Sequence, residues 1–169
     1  MSEPVIRPEA GADSRAVYAV NAAAFPTEAE AKLVDALRAA GRAIVSLVAV
    51  LDGRVVGHVL FSPVSVETGE SGDGARLAPV AVMPDLHRRG IGGALVRAGL
   101  AAVAAAGFRY CVVLGDPAYY SRFGFERASA VGLGNEYGVD AEFMVQELTP
   151  GGLAGKRGLV RYAPEFAGV

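Results

Sequence analysis

The chain has 169 residues, enough for one domain that buries roughly 70% of its unfolded surface. With 52% apolar and 20% charged residues it is not a disordered chain, and a formal net charge of −2 supplies no field to draw nucleic acid or an anionic membrane. One cysteine excludes an internal disulfide and no stretch reaches the roughly 20 apolar residues of a bilayer span, so a cytoplasmic protein without nucleic-acid or membrane partners is expected.

Val5-Ile6-Arg7-Pro8 reads as a short strand, and Asp13 or Ser14 can cap a helix over 15–24 that Phe25-Pro26 breaks. Thr27 and Glu30 have capping-box spacing, predicting a second helix that carries Ala31, Val34, Leu37 and Arg38 toward a stop at Gly41. Residues 44–51 are β-rich, Asp52-Gly53 is a hairpin turn, and 54–64 return as a strand. Residues 66–74 are polar and Gly-rich and read as a flexible loop with Glu67, Glu70 and Asp73 solvated. A strand over 76–83 follows with Pro79 inside it, and because proline cannot donate to a ladder, a bulge is expected there.

A helix over 90–106 would place Ile91, Ala94, Leu95, Ala98, Ala102 and Ala105 on one side and end at Gly107. Then come a strand over 109–114 with Cys111 as plain core, a short helix over 117–123, and strands over 125–128 and 142–148. After Thr149-Pro150-Gly151-Gly152 the composition turns Gly-rich, with one β-like patch at 159–162. Residues 1–149 are expected to form the domain, and 150–169 a tail packing on it or on a partner subunit, in a monomer or a homodimer.

The stretch LAPVAVMPDLHRRGIGGALV, residues 77–96, carries the chemistry. Glycines let backbone amides crowd round an anion, a helix start adds unpaired donors and a positive dipole end, and Arg88 and Arg89 add full charge. The physical reading is a phosphate or pyrophosphate site. A Walker-type loop would need Lys then Ser or Thr where Ala94-Leu95 stand. A dinucleotide fingerprint would need Gly or Ala at Leu95 and a turn directly after the strand, but Pro84 to Gly90 intervene.

His87-Arg88-Arg89-Gly90-Ile91-Gly92 resembles the acetyl-CoA motif of the GCN5-related N-acetyltransferase (GNAT) superfamily, departing from it only at His87, where Gln or Arg is usual. Asp116-Pro117-Ala118-Tyr119-Tyr120-Ser121-Arg122-Phe123-Gly124-Phe125 resembles the later motif of the same superfamily, in a pattern closest to its YhbS-like subgroup. The resemblance implies a single α/β domain with a central, mixed but mostly antiparallel sheet, helices on both faces, and a bulged, splayed strand at the cofactor site. It implies acetyl-CoA as cosubstrate, no metal, and transfer of an acetyl group straight to an amine of a small molecule or peptide. The alternatives are a non-catalytic acyl-CoA-binding module or a different acyl group.

Carried over residue by residue, Arg88, Arg89, Gly90, Ile91, Gly92 and Gly93 would hold the pyrophosphate, and the backbone of Val80, Ala81 and Val82 would pair with pantetheine. Tyr119 and Phe123 would lie against the cofactor. Tyr120 would be the general acid, and Val113 stands where many members place a cofactor-binding asparagine. A bulge at Pro79 would free an amide for the developing oxyanion, with the Val82 N–H as the candidate. Arg76, Leu77 and Ala78 offer no glutamate as base, so Glu28, Glu30, His58 and a water chain stay open.

Overall fold

A computed structural model describes residues 3–68 and 72–168. In chain order the strands are β1 (Val5–Pro8), β2 (Val45–Leu51), β3 (Arg54–Thr68), β4 (Gly74–Val82), β5 (Tyr110–Leu114), β6 (Glu126–Arg127), β7 (Leu133–Asn135), β8 (Phe143–Glu147) and β9 (Arg157–Arg161). The helices are α1 (Ser14–Ala24), α2 (Ala29–Ala39), α3 (Ile91–Ala105) and α4 (Pro117–Tyr120).

Strand residues alternate between faces, and here both faces are apolar. Leu47, Ala49, Val59 and Phe61 share a core with Ile91, Leu95, Val96 and Val103 of α3. Val48 and Leu60, pointing the other way, pack with Val17 of α1 and Leu33, Val34 and Leu37 of α2. Such a sheet must be covered on both sides, and the helices do so.

The sheet runs β1-β2-β3-β4-β5-β8-β6, and β9 pairs with β3 and β7. Among the described residues only the β4–β5 and β7–β9 pairs are parallel. Two irregularities in β4 make the site. Val59 faces Val80 while Phe61 faces Leu77, so Leu60 opposes both Ala78 and Pro79, which is the bulge expected at the proline. On its other edge β4 pairs with β5 only at Gly74, Ala75 and Arg76, and beyond Arg76 the two strands part.

Several local expectations need correction. Residues 66–74 are not one loop: β3 runs on through Thr68 and β4 begins at Gly74. Glu67 accepts from the Leu159 amide and pairs with Arg161, while Asp73 pairs with the buried Lys156 at 3.0 Å. Glu70 lies outside the described residues. Partners from β9 and its approach turned these acids into structural contacts, which local composition cannot foretell. Thr27 forms no capping box; its Oγ1 accepts from the Ala29 amide, and α2 starts after Glu28.

On α3 the buried side is Ile91, Leu95, Val96, Gly99 and Val103, whereas Ala105 is exposed. Phe61 fills the space over Gly99, so the helix buries a glycine where alanine periodicity suggested a different stripe. After Pro150 the chain adds β9, whose Val160 and Arg161 pair with Val66 and Ser65 of β3 where β2 has ended. Among the described residues no helix is long and apolar enough to cross a membrane.

Candidate active site

The parting of β4 and β5 leaves a cleft with a cavity on either side of Val80. The larger, about 660 Å³, is lined by the turn residues Arg88, Gly90, Ile91, Gly92 and Gly93, by Val80 and Val82, and by Phe25, Leu86, His87, Arg97, Tyr119 and Arg122 among others. The smaller, about 240 Å³, is lined by Glu30, Arg76, Pro79, Leu114 and Tyr120 with several apolar side chains. Phe25 and Val80 line both.

Local sequence explains the turn. Arg88 (φ 66°) and Gly90 (φ 79°) are both left-handed, and Gly90 stands at the N-cap of α3. A non-glycine residue held at positive φ costs about 1–2 kcal/mol. Such strain is tolerated where it serves a site. Here the amides of residues 88 to 93 donate to no acceptor among the described residues, whereas Ala94 N–H returns to Gly90 in the ordinary helical way at 3.0 Å. Any side chain at Gly92 would crowd the Tyr119 hydroxyl, 3.2 Å from a Cβ there. Unpaired amides at the start of a 15-residue helix, ringed by arginines, fit a phosphate group.

Register decides which β4 groups face the cleft. Met83 N–H donates to the Val56 carbonyl at 2.9 Å, so Val82 opposite Gly57 is a non-hydrogen-bonded position and its own N–H and carbonyl turn away from β3. Val80 follows the same phase, and Ala81 the opposite one. The Val82 carbonyl is met by His87, whose Nε2–H donates to it at 3.0 Å. That leaves the Val82 amide pointing into the cleft.

Tyr120 is placed by a tight local fold. Asp116 accepts the Ala118 amide at 3.0 Å and caps α4. Gly115 is obligatory in this turn, since a Cβ there would stand 2.3 Å from the Tyr120 ring. The ring packs edge-on against Tyr119 and Phe125, at centroid distances of 5.0 and 5.8 Å. The Tyr120 hydroxyl has no hydrogen-bond partner among the described residues, and its pKa is pushed up to about 12, mainly by burial. Cys111 is fully buried and burial raises its thiol well above the ordinary value, so no thiolate is at hand there.

Of the residues singled out in the sequence, Val80, Val82, Arg88, Gly90, Ile91, Gly92, Gly93 and Tyr119 meet on the wall of the larger cavity, and Tyr120 on the smaller. Ala81, Arg89 and Phe123 lie off both walls; Phe123 sits beneath the turn, 3.7 Å from a Cβ built on Gly93. Sequence reasoning missed Arg97 and Arg122. Their guanidinium groups stack on Phe123 (4.8 Å) and Tyr119 (4.6 Å), at the mouth of the same cavity. The spacing of Arg97, one helical turn after Gly93 on the same face, was the available signal.

The candidate bases separate cleanly. Glu28 accepts from the exposed Tyr18 hydroxyl at 2.8 Å and lines neither cavity. His58 is wholly buried between Asn21 and Ser46, off both walls. Glu30 lines the smaller cavity, with its Oε1 buried and unpartnered.

Known proteins resemble this chain in sequence and in fold. The acetyltransferase (GNAT) family model matches residues 14–125. The chain is 40% identical over 164 residues, 96% of this chain and 98% of the relative, to the uncharacterized N-acetyltransferase YhbS of Escherichia coli strain K12. It superimposes on a crystal structure of the Escherichia coli YhbS protein in complex with CoA with a TM-score of 0.94, at 38% identity, covering 99% of this chain and 93% of that one. It also resembles a GNAT family acetyltransferase from Brucella melitensis in complex with acetyl-CoA, with a TM-score of 0.82, 37% identity, and 98% and 99% coverage.

Proposed function

Because the chain belongs to the acetyltransferase (GNAT) family, we propose that it transfers the acetyl group of acetyl-CoA directly to an amine of a small molecule or peptide, with both reactants held in the cleft between β4 and β5. The observation that carries this reading is the run of six unpartnered amides from Arg88 to Gly93, five of whose residues, all but Arg89, line the larger cavity. Arg88, Arg97 and Arg122 complete a cradle for the pyrophosphate. The unpaired edge of Val80 and Val82 is free to pair with pantetheine, directing the thioester end toward Tyr120.

Bound acetyl-CoA supplies an activated acetyl group: the amine nitrogen forms the new C–N bond, the C–S bond breaks, and its electron pair leaves on sulfur. Holding the two reactants together can supply about 7 kcal/mol or more of the barrier reduction. The Val82 amide, fixed by the His87 contact to its own carbonyl, donates to the oxygen on which charge develops. The Tyr120 hydroxyl gives its proton to sulfur and regains one from the nitrogen, so the residue ends as it began. With its pKa near 12 it is protonated at every physiological pH.

The test is titration calorimetry with CoA and acetyl-CoA, followed by release of free thiol with a panel of amines. Binding with thiol release on adding an amine is expected. Folded protein with no affinity for CoA would end the reading.

A further inference from the structure

The smaller cavity brings together two opposite charges, Arg76 and Glu30, neither of which has an oppositely charged partner among the described residues. Arg76 has only the Tyr137 side chain as a hydrogen-bonding neighbour. Arg76 is the last β4 residue still paired to β5, opposite Val112, and is 9% exposed. Its guanidinium lies between the rings of Tyr162 and Phe166, at 4.0 and 4.1 Å from their centroids. Those rings favour a cation but accept none of its five N–H groups in the guanidinium plane. Nε and Nη1 are buried without a hydrogen-bond partner, and no carboxylate of the described residues lies within 4.0 Å of the group. A buried guanidinium without an anion is unfavourable, and it persists here at the edge of a cavity.

Glu30, on the first turn of α2, faces the same cavity with Oε1 likewise buried and unpartnered. The same cavity is lined by apolar groups, including Leu33 and Leu114, and by Tyr120. Resting on the acetyl-transfer reading above, we propose that Arg76 binds a carboxylate of the acceptor while Glu30 receives its ammonium group, so that the acceptor is a small amino acid-like zwitterion rather than a simple amine. Glu30 takes one proton from the ammonium group, which frees the nitrogen lone pair for attack and leaves Glu30 to return that proton to solvent. Guanidinium and carboxylate match in a two-pronged geometry that neither an amide nor a hydroxyl reproduces.

The experiment uses matched pairs, each an amino acid and its decarboxylated amine: glycine with methylamine, phenylalanine with phenethylamine, lysine with cadaverine. The wild-type protein should show kcat/KM at least about tenfold higher for the carboxylate-bearing member. Arg76→Met should bring each pair within about twofold, and Arg76→Lys should keep part of the preference, with CoA affinity by calorimetry unchanged in both. Equal or better use of the decarboxylated amines by the wild type, or a preference that survives Arg76→Met, would overturn the proposal. If no amine is acetylated although CoA binds, the enzymatic reading fails by itself. Calorimetry of phenylalanine and phenethylamine into the CoA-loaded protein then decides this one: selective, Arg76-dependent binding of phenylalanine upholds it, and no binding of phenylalanine overturns it.

Discussion

Asn21 Nδ2 lies 3.1 Å from His58 Nδ1, and this contact fixes the tautomer of a histidine sealed inside the sheet. The same amide nitrogen donates to the Val17 carbonyl at 3.0 Å, so it is a donor to both. His58 Nδ1 therefore accepts, its proton sits on Nε2, and Nε2–H donates to Ser46 Oγ at 2.8 Å. The Ser46 hydroxyl in turn donates a hydrogen bond to Glu9 Oε1 at 2.6 Å, and Glu9 is paired with Arg38. Every polar atom of the ring is satisfied in the neutral form.

That network predicts a pH-dependent stability. Burial, reinforced by the Arg38 charge, holds His58 down to about 3, against an ordinary value of 6.5. The unfolded chain binds the proton more readily, so the contribution is complete above pH 6.5 and is lost as pH falls toward 3. The slope approaches about 1.4 kcal/mol per pH unit. Asp13, held down to about 2 chiefly by the Arg7 hydrogen bond, adds its loss only below its ordinary 3.8. Urea unfolding at pH 7.5 and 4.5 should show a falling midpoint for the wild type. His58→Gln should be about 1–3 kcal/mol less stable at pH 7.5. Its midpoint should change far less between the two pH values; an equal fall would exclude His58 as the source.

Gly99→Ala tests the seam between α3 and the sheet. Alanine favours a helix over glycine by about 1 kcal/mol. A Cβ at this position would stand 2.3 Å from Cε1 of Phe61, a fully buried ring, and overpacking of that kind costs typically about 1–3 kcal/mol or more. Sterics win, and thermal melting should fall by several degrees. Phe61→Leu in the same chain should recover part of the loss, whereas a Gly99→Ala variant as stable as wild type would remove the close packing.

The parts of this fold legible in sequence are those written locally. Asp52 (φ 50°) and Gly53 (φ 78°) make the hairpin turn, Pro79 marks the bulge, and Gly107 (φ 98°) ends α3. The glycine turn and Tyr120 were legible too, since each is built by residues close along the chain. What sequence did not yield depends on distant partners. Glu67 and Asp73 read as solvated acids until β9 and Lys156 arrive from some ninety residues away. Arg76 read as an absent glutamate, although its surroundings come from Tyr162 and Phe166 near the far end of the chain. The smaller cavity was invisible for the same reason.

Tyr120→Phe separates chemistry from binding. With Tyr120 as the proton donor proposed above, its loss should lower kcat by about 10²–10⁴, while acetyl-CoA affinity by calorimetry stays within about twofold. Because burial raises the phenol to about 12, ionisation of Tyr120 should cost the wild type nothing between pH 7 and 10. Any alkaline loss in that range comes from another group and should persist in the variant. An unchanged kcat would remove Tyr120 from the reaction.

Arg97 and Arg122 test the cradle at its charged rim. Both side chains are exposed and held by aromatic rings rather than by carboxylates, so their charges are available to a ligand at little desolvation cost. Replacing both with Ala should weaken CoA binding about tenfold at low salt and distinctly less at 0.5 M, where screening has shortened the reach of the charges to a few ångström. Dephospho-CoA and CoA should lose comparably if the arginines meet the pyrophosphate, since that group is common to the two. Melting temperature should barely move, because neither arginine has an ion-pair partner among the described residues. Calorimetry showing undiminished affinity at low salt would remove Arg97 and Arg122 from the cradle and leave Arg88 and the amides of the turn to hold the phosphates.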